Sequence, residues 1–215
     1  MTLTYPLSLA AFADKLRIAS APFVLEEQHQ LSGLGTGDVL AAQLAPSRWT
    51  ALVTLAAERH TRAREIQALI ESLNGPIQSF YLYCPTNCYP AADPGGIILG
   101  ASTVTIHTIG ANNKSLRLGG LPAGYKITAG DAMHYDYGSN PVRRAYHRAA
   151  ETVVADGAGV TPMFELSHHL RPGATTGLVV TLKKPAAKMF RKPGPLSVSH
   201  TATHSTISFE AIQRP

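Results

Sequence analysis

The chain has 215 residues, of which 15% are charged, with a net charge of +5 and two cysteines. A chain of this length can bury a core without metal or disulfide staples, and its balance of Leu, Val, Ala, Thr, Gly and Pro excludes a coiled coil or a disordered segment. It holds no apolar run of about 18 residues and no basic N-terminal region leading into a long apolar core, so neither membrane insertion nor signal-peptide export is expected.

Residues 1–20 are irregularly apolar and read as a short strand with a loop, or as a helical turn around Leu9 to Leu16. Phe23 to Leu31 reads as a strand, followed by the turn Gly33-Leu-Gly-Thr-Gly37, Val39 to Leu44, and a further strand from Trp49 after Pro46-Ser47-Arg48. The glycine-rich turn lacks a following Lys-Ser/Thr and opens no helix, so the mechanism of a phosphate-cradling loop is missing. Ile66, Leu69, Ile70 and Leu73 then repeat at i, i+3, i+4 and i+7, one apolar stripe of a helix, with Glu58, Arg59, Arg62, Glu65 and Glu71 mostly elsewhere. Asn74 or Gly75 can take the left-handed conformation that ends a helix, and Pro76 cannot continue it. In the strand that follows, Phe80 and Leu82 point to one side while Tyr81 and Tyr83 point to the other. Both faces carry apolar bulk, so the strand is expected to be covered twice, by the helix and by another sheet or subunit.

From Cys84 to Gly96 the chain is dense in Pro and Gly, a candidate domain junction. Beyond it short strands recur with turns between them, over residues 103–109, 115–118, 125–128, 132–137, 143–154, 163–166 and 178–182. That spacing predicts a small closed or half-closed barrel. A last strand, Ile207 to Ile212, is placed back in the first sheet.

Candidate chemistry is sparse. Cys84 and Cys88 are spaced C-x3-C, too few ligands for tetrahedral zinc, and read as a reduced pair, although a bent loop would let them meet. Among nine histidines, His168 and His169 are adjacent and His200 and His204 lie four apart in an extended or loop segment, which is not the helical pairing of a hydrolytic zinc site. No nucleophile elbow occurs. Asp131 and Asp136 flank His134 and Tyr135, but Asp131 follows Gly130 as a turn residue. Lys183, Lys184, Lys188, Arg191 and Lys192 crowd one stretch without an acid. They suit a polyanion patch, a solvated loop or a contact with acidic residues of a neighbouring subunit, and no nucleic-acid motif accompanies them. No residue is therefore assigned as catalytic, cofactor-binding or metal-ligating, no cofactor is expected, and the chain is not read as an enzyme.

The order of these elements, Trp49-Thr-Ala-Leu-Val-Thr-Leu, the helix ending Leu69-Ile-Glu-Ser-Leu-Asn-Gly-Pro, Phe80-Tyr-Leu-Tyr-Cys-Pro and Tyr89-Pro-Ala-Ala-Asp-Pro-Gly, resembles the N-terminal half of distal tail proteins from long-tailed phages and gene-transfer-agent-like particles. The second half is similar to the module inserted in such proteins, with Leu116-Arg-Leu-Gly-Gly-Leu-Pro-Ala-Gly, Gly130-Asp131 before a strand, Arg143-Arg-Ala-Tyr-His-Arg, and Ala155-Asp-Gly-Ala-Gly before Pro162-Met-Phe-Glu-Leu. The resemblance implies a mainly β, β-rich α+β protein. Its core, a β-sandwich or split barrel with one packed amphipathic helix, would be built from residues 1–96 and 184–215, and a small OB-like β-barrel would be inserted at 97–183. It also implies a ring-forming structural virion protein at the tail tip, usually a hexamer. Its partners would be copies of itself, the tail tube and tail hub proteins, and the tape-measure and receptor-binding proteins. No specific nucleic-acid binding is expected. In this arrangement the strands near residues 23–31 and 47–55 line the central channel and the barrel sits outside. Two other classes remain open at the level of sequence: a carbohydrate-binding module that stacks sugars on Tyr135, Tyr137 and Tyr146, and a metal-dependent hydrolase using the scattered histidines.

Overall fold

Runs rich in β-branched and aromatic residues, punctuated by turn residues, fold as strands. The computed structural model, which describes residues 3–33, 35 and 37–214, is accordingly mainly β, with several antiparallel sheets and a single α-helix among the described residues. In chain order the strands begin with β1 (Ile18–Ser20), β2 (Phe23–Gly33), β3 (Val39–Leu55) and β4 (Glu58–Arg59), and helix α1 (His60–Glu71) follows. Next come β5 (Phe80–Tyr83), β6 (Thr105–Ile109), β7 (Ser115–Gly119), β8 (Lys126–Ile127), β9 (Ala132–Tyr137) and β10 (Arg143–Arg148). The last are β11 (Val153–Val154), β12 (Phe164–Glu165), β13 (Val180–Thr181), β14 (Ala186–Arg191), β15 (Ser197–His200) and β16 (His204–Gln213). The chain forms two compact units, one from residues 3–14 and 80–188, the other from 15–79 and 189–214.

The second of these units is built on one antiparallel sheet in the order β1-β3-β16-β14, with β2 also paired to β3 and with β4 and β15 paired to β16. Period-two alternation places Trp49, Ala51, Val53 and Leu55 of β3 on the same face as Ile207, Phe209 and Ala211 of β16, and all seven are buried. Helix α1 covers that face: its Ala63 and Ile66 close a small cavity with Leu55 and Ile207. The buried stripe runs through Ala63, Ile66, Ile70 and Leu73, while Leu69 lies at its margin and is half-buried. The predicted stop is present, with Asn74 at φ 48° and Gly75 at φ 62° both left-handed before Pro76. The opposite face of the sheet carries Thr50, Leu52, Ser208, Glu210 and Ile212 and is open to solvent.

In the other unit, three small antiparallel sheets, β10-β9-β13, β11-β8 and β12-β7-β6, surround one core drawn from residues 99–182. The expected OB-like barrel is not formed as a closed barrel: among the described residues the strands stay in three separate sheets, which isolated bridges such as Thr105–Val179 and Ala149–Leu166 join at their edges. The expected continuous strand 143–154 is two strands. At the break, the Ala149 amide donates to the Asp131 carbonyl and the Ala150 amide to that of Glu165, which hands the chain from one sheet to the next. Phe80 and Leu82 of β5 are buried, Phe80 packing 4.4 Å from Phe12 between ring centroids, and the outward Tyr81 is capped by the Arg144 guanidinium at 4.1 Å. Strand β5 is hydrogen-bonded to β14, whose residues 186–188 belong to this unit.

Candidate functional site

The most unusual element is the β2–β3 hairpin. From its root, where Phe23 pairs with Ala51, it runs outward to Gly33 opposite Val39. Every described residue from 29 to 44 is exposed, so both faces of this arm meet solvent. Its edges are free as well: on the other side of β3, β16 reaches only Thr50 to Thr54, and nothing among the described residues pairs with the outer edge of β2. Leu31, Val39, Leu40 and Leu44 are each more than half exposed. A lone two-stranded ribbon is marginal in water, and an exposed apolar strand edge is a template for pairing with another chain.

Sequence reading missed the arm by dividing β3 at Pro46. The structure carries one strand through that proline because the register shifts there: Glu26 faces Arg48 and Gln28 faces Ala45, so Pro46 and Ser47 share one partner position in a bulge. Proline, lacking an amide hydrogen, is tolerated at bulges and edges. The glycine-rich turn caps the arm, and two of its residues, Leu34 and Thr36, lie outside the described residues.

At the root of the arm the open sheet face forms a groove. Its two adjoining cavities, of about 270 and about 360 Å³, share Leu52, Lys192 and Glu210. Val24 and Ile212 add apolar wall, with Val24 and Leu52 both more than half exposed. The Lys192 ammonium donates to Glu210 at 2.5 Å, and this pairing raises the lysine's pKa. Such an apolar patch with a charged rim has the composition of a protein interface.

The residues singled out in the sequence lie elsewhere, and most serve the fold. Tyr135, Tyr137 and Tyr146 are all buried, so none offers a ring face to a sugar. The Tyr135 hydroxyl lies 3.3 Å from Nε2 of the fully buried His147. Burial, with the neighbouring His168 and Arg171, holds His147 well below its usual pKa. Nδ1 of His134 accepts the Ala186 amide, and burial, with Arg144 adding to it, brings its pKa down to about 3. Asp136 takes a two-point ion pair from Arg144 at 2.6 and 2.8 Å, and Asp131 accepts the Ala91 and Thr128 amides as a turn residue does. His200 meets His60 rather than His204: both Nδ1 atoms lie 2.8 Å from the buried Ser205 hydroxyl, a pairing between distant segments that no local pattern announces. Among the described residues no three His, Cys, Asp or Glu side chains are placed to hold a metal.

Cys84 and Cys88 are free thiols, and burial raises the pKa of Cys88. The basic run is largely engaged at home. Lys183 donates to the Gly100 carbonyl, Lys184 to Asp14 at 3.3 Å, Arg191 to the Gly194 carbonyl and Lys192 to Glu210. No model of a known protein family matches the chain, and no curated protein does.

Proposed function

We propose that this chain is a distal tail adaptor of a long-tailed phage or gene-transfer-agent-like particle, a structural protein that works through interfaces at the tail tip. Its copies close into a ring joining the tail tube to the hub and its receptor-binding apparatus. The observation that carries this reading is the arm, a ribbon with two exposed faces, two free edges and four exposed aliphatic side chains. An element of that kind is costly for a chain that stays alone and is useful to one that joins copies. The groove at its root supplies a second, different apolar surface on the same chain. Contacts between unlike surfaces propagate from copy to copy, and a rotation that closes gives a ring instead of a fibre. The resemblance in element order to distal tail proteins supports the same reading.

Native mass spectrometry of the purified full chain over a micromolar concentration series tests it. A single closed oligomer larger than a dimer is expected, with ring images in negative stain. A strict monomer throughout, or open-ended fibres, would overturn it.

A further inference from the structure

We infer that the arm of one copy seats in the outer-face groove of a neighbouring copy. This rests on the assembly reading above and names the surface that the arm engages. The occupant follows from where the groove lies. Pro22, Val24, Glu26, Thr50 and Leu52 form its wall, and these residues are the root of the arm itself. From Thr50 to Leu40, β3 leads away over roughly 33 Å at about 3.3 Å per residue. A ribbon leaving its own groove cannot turn back onto it without breaking the pairing that continues from Glu26–Arg48 out to Gly33–Val39. The two apolar surfaces are therefore unable to satisfy each other within one chain, and a second copy can bring them together.

Chemistry matches across the contact. Between residues 27 and 47 the arm carries Glu27 and Asp38 and no lysine or arginine. Arg191 and Lys192 line the groove beside Glu26 and Glu210, so its charges are mixed and the apolar side chains carry most of the match. Leu40 and Leu44 are branched aliphatic side chains, and the groove's exposed Leu52 and Val24 are aliphatic too. Burying them removes apolar surface from water on both partners. Of the groove's two cations Lys192 is already paired with Glu210, so Arg191, which donates to the Gly194 carbonyl at home, is the one that meets an acidic residue of the neighbour.

Two full-length variants test the docking, Leu40→Glu on the arm and Leu52→Glu in the groove. Both positions are exposed, so each variant should keep the wild-type circular dichroism and melting temperature. Alone, each should lose the wild-type oligomer, with at least a tenfold rise in the concentration needed to assemble. Mixed, they should combine one to one and stop there, because the intact arm of the groove variant meets the intact groove of the arm variant and no second pair remains. Either variant assembling like wild type, or a mixture that stays monomeric, overturns the docking. A wild type that stops at a dimer while the mixing result holds keeps the docking and removes the ring reading.

Discussion

His147 lies against His168, with ring centroids 4.2 Å apart and planes 20° from parallel. Tyr135 also lies nearly parallel to His147, with centroids 5.6 Å apart, so the fully buried imidazole packs against two rings in the 80–188 unit. Burial is the main cause that lowers both histidines: His168 falls to about 4, with Arg171 and His169 adding to the shift, and His147 falls well below its usual value.

Acid sensitivity follows, and its sign is fixed. Below the usual histidine value of 6.5 the unfolded chain takes up protons that the folded chain refuses, so stability is whole above that pH and is lost as pH falls toward about 4. The urea midpoint should drop between pH 7.5 and pH 5, and His168→Gln should flatten that slope. Carboxylates held low, such as Asp93 and Asp136, add their own loss only at lower pH, near and below 3.8. A midpoint that does not move between pH 7.5 and 5 would place these rings in contact with water.

Asp93 should prove a structural residue. It is 2% exposed, and its carboxylate accepts the amides of Ile98 at 3.0 Å and Leu99 at 2.9 Å and the Tyr125 hydroxyl at 3.3 Å. Burial alone would raise its pKa; the donors outweigh burial and hold it low. Asp93→Ala would strand the Ile98 and Leu99 amides of the loop after Pro94 and the Tyr125 hydroxyl, a loss of about 1–3 kcal/mol in chemical denaturation. Tyr125→Phe, which removes one donor, should cost less than Asp93→Ala in the same assay.

Helix α1 offers a comparison of two neighbours. Ile70 is fully buried and Leu69 is half-buried, so Ile70→Ala should cost about 2–5 kcal/mol and Leu69→Ala clearly less. Equal losses in urea titrations would mean that the helix face is rotated from the one described.

Shortening the arm separates folding from assembly. Replacing residues 27–47 by Asn-Gly removes a ribbon that is mostly exposed and joins Glu26 to its partner Arg48 through a two-residue turn, which suits a hairpin. Monomer stability should change by no more than about 0.5 kcal/mol, the range of ordinary surface changes. The oligomer should disappear in native mass spectrometry. A large loss of stability would mean that the arm belongs to the core.

How much was legible beforehand depended on how local the signal was. The helix, its Asn-Gly-Pro stop and the Phe80–Tyr83 alternation were readable because the periods of 3.6 and 2 are written in consecutive residues. The arm was not, because exposed strands lack the one-sided alternation that burial imposes, and Pro46 looks like a boundary unless the opposing bulge is known. The expectation of a closed barrel failed for a related reason. Short strands at even spacing say that sheets exist, while the choice between closing one sheet and stacking three around a common core is made by pairings such as Val180 with Tyr135 and Phe164 with Leu116, far apart in sequence.

The sequence by itself therefore determined a mainly β protein with one amphipathic helix and a defined helix end, since each rests on neighbouring residues. Only the tertiary structure decided that Tyr135 and Tyr146 are core, that His60 and His200 share Ser205, and that the hairpin stands away from its own sheet. The physical reason is the same in each case. Burial and exposure are set by contacts between distant segments, and it is the burial left undone, along the arm and in the groove at its root, that points to a second copy of the chain.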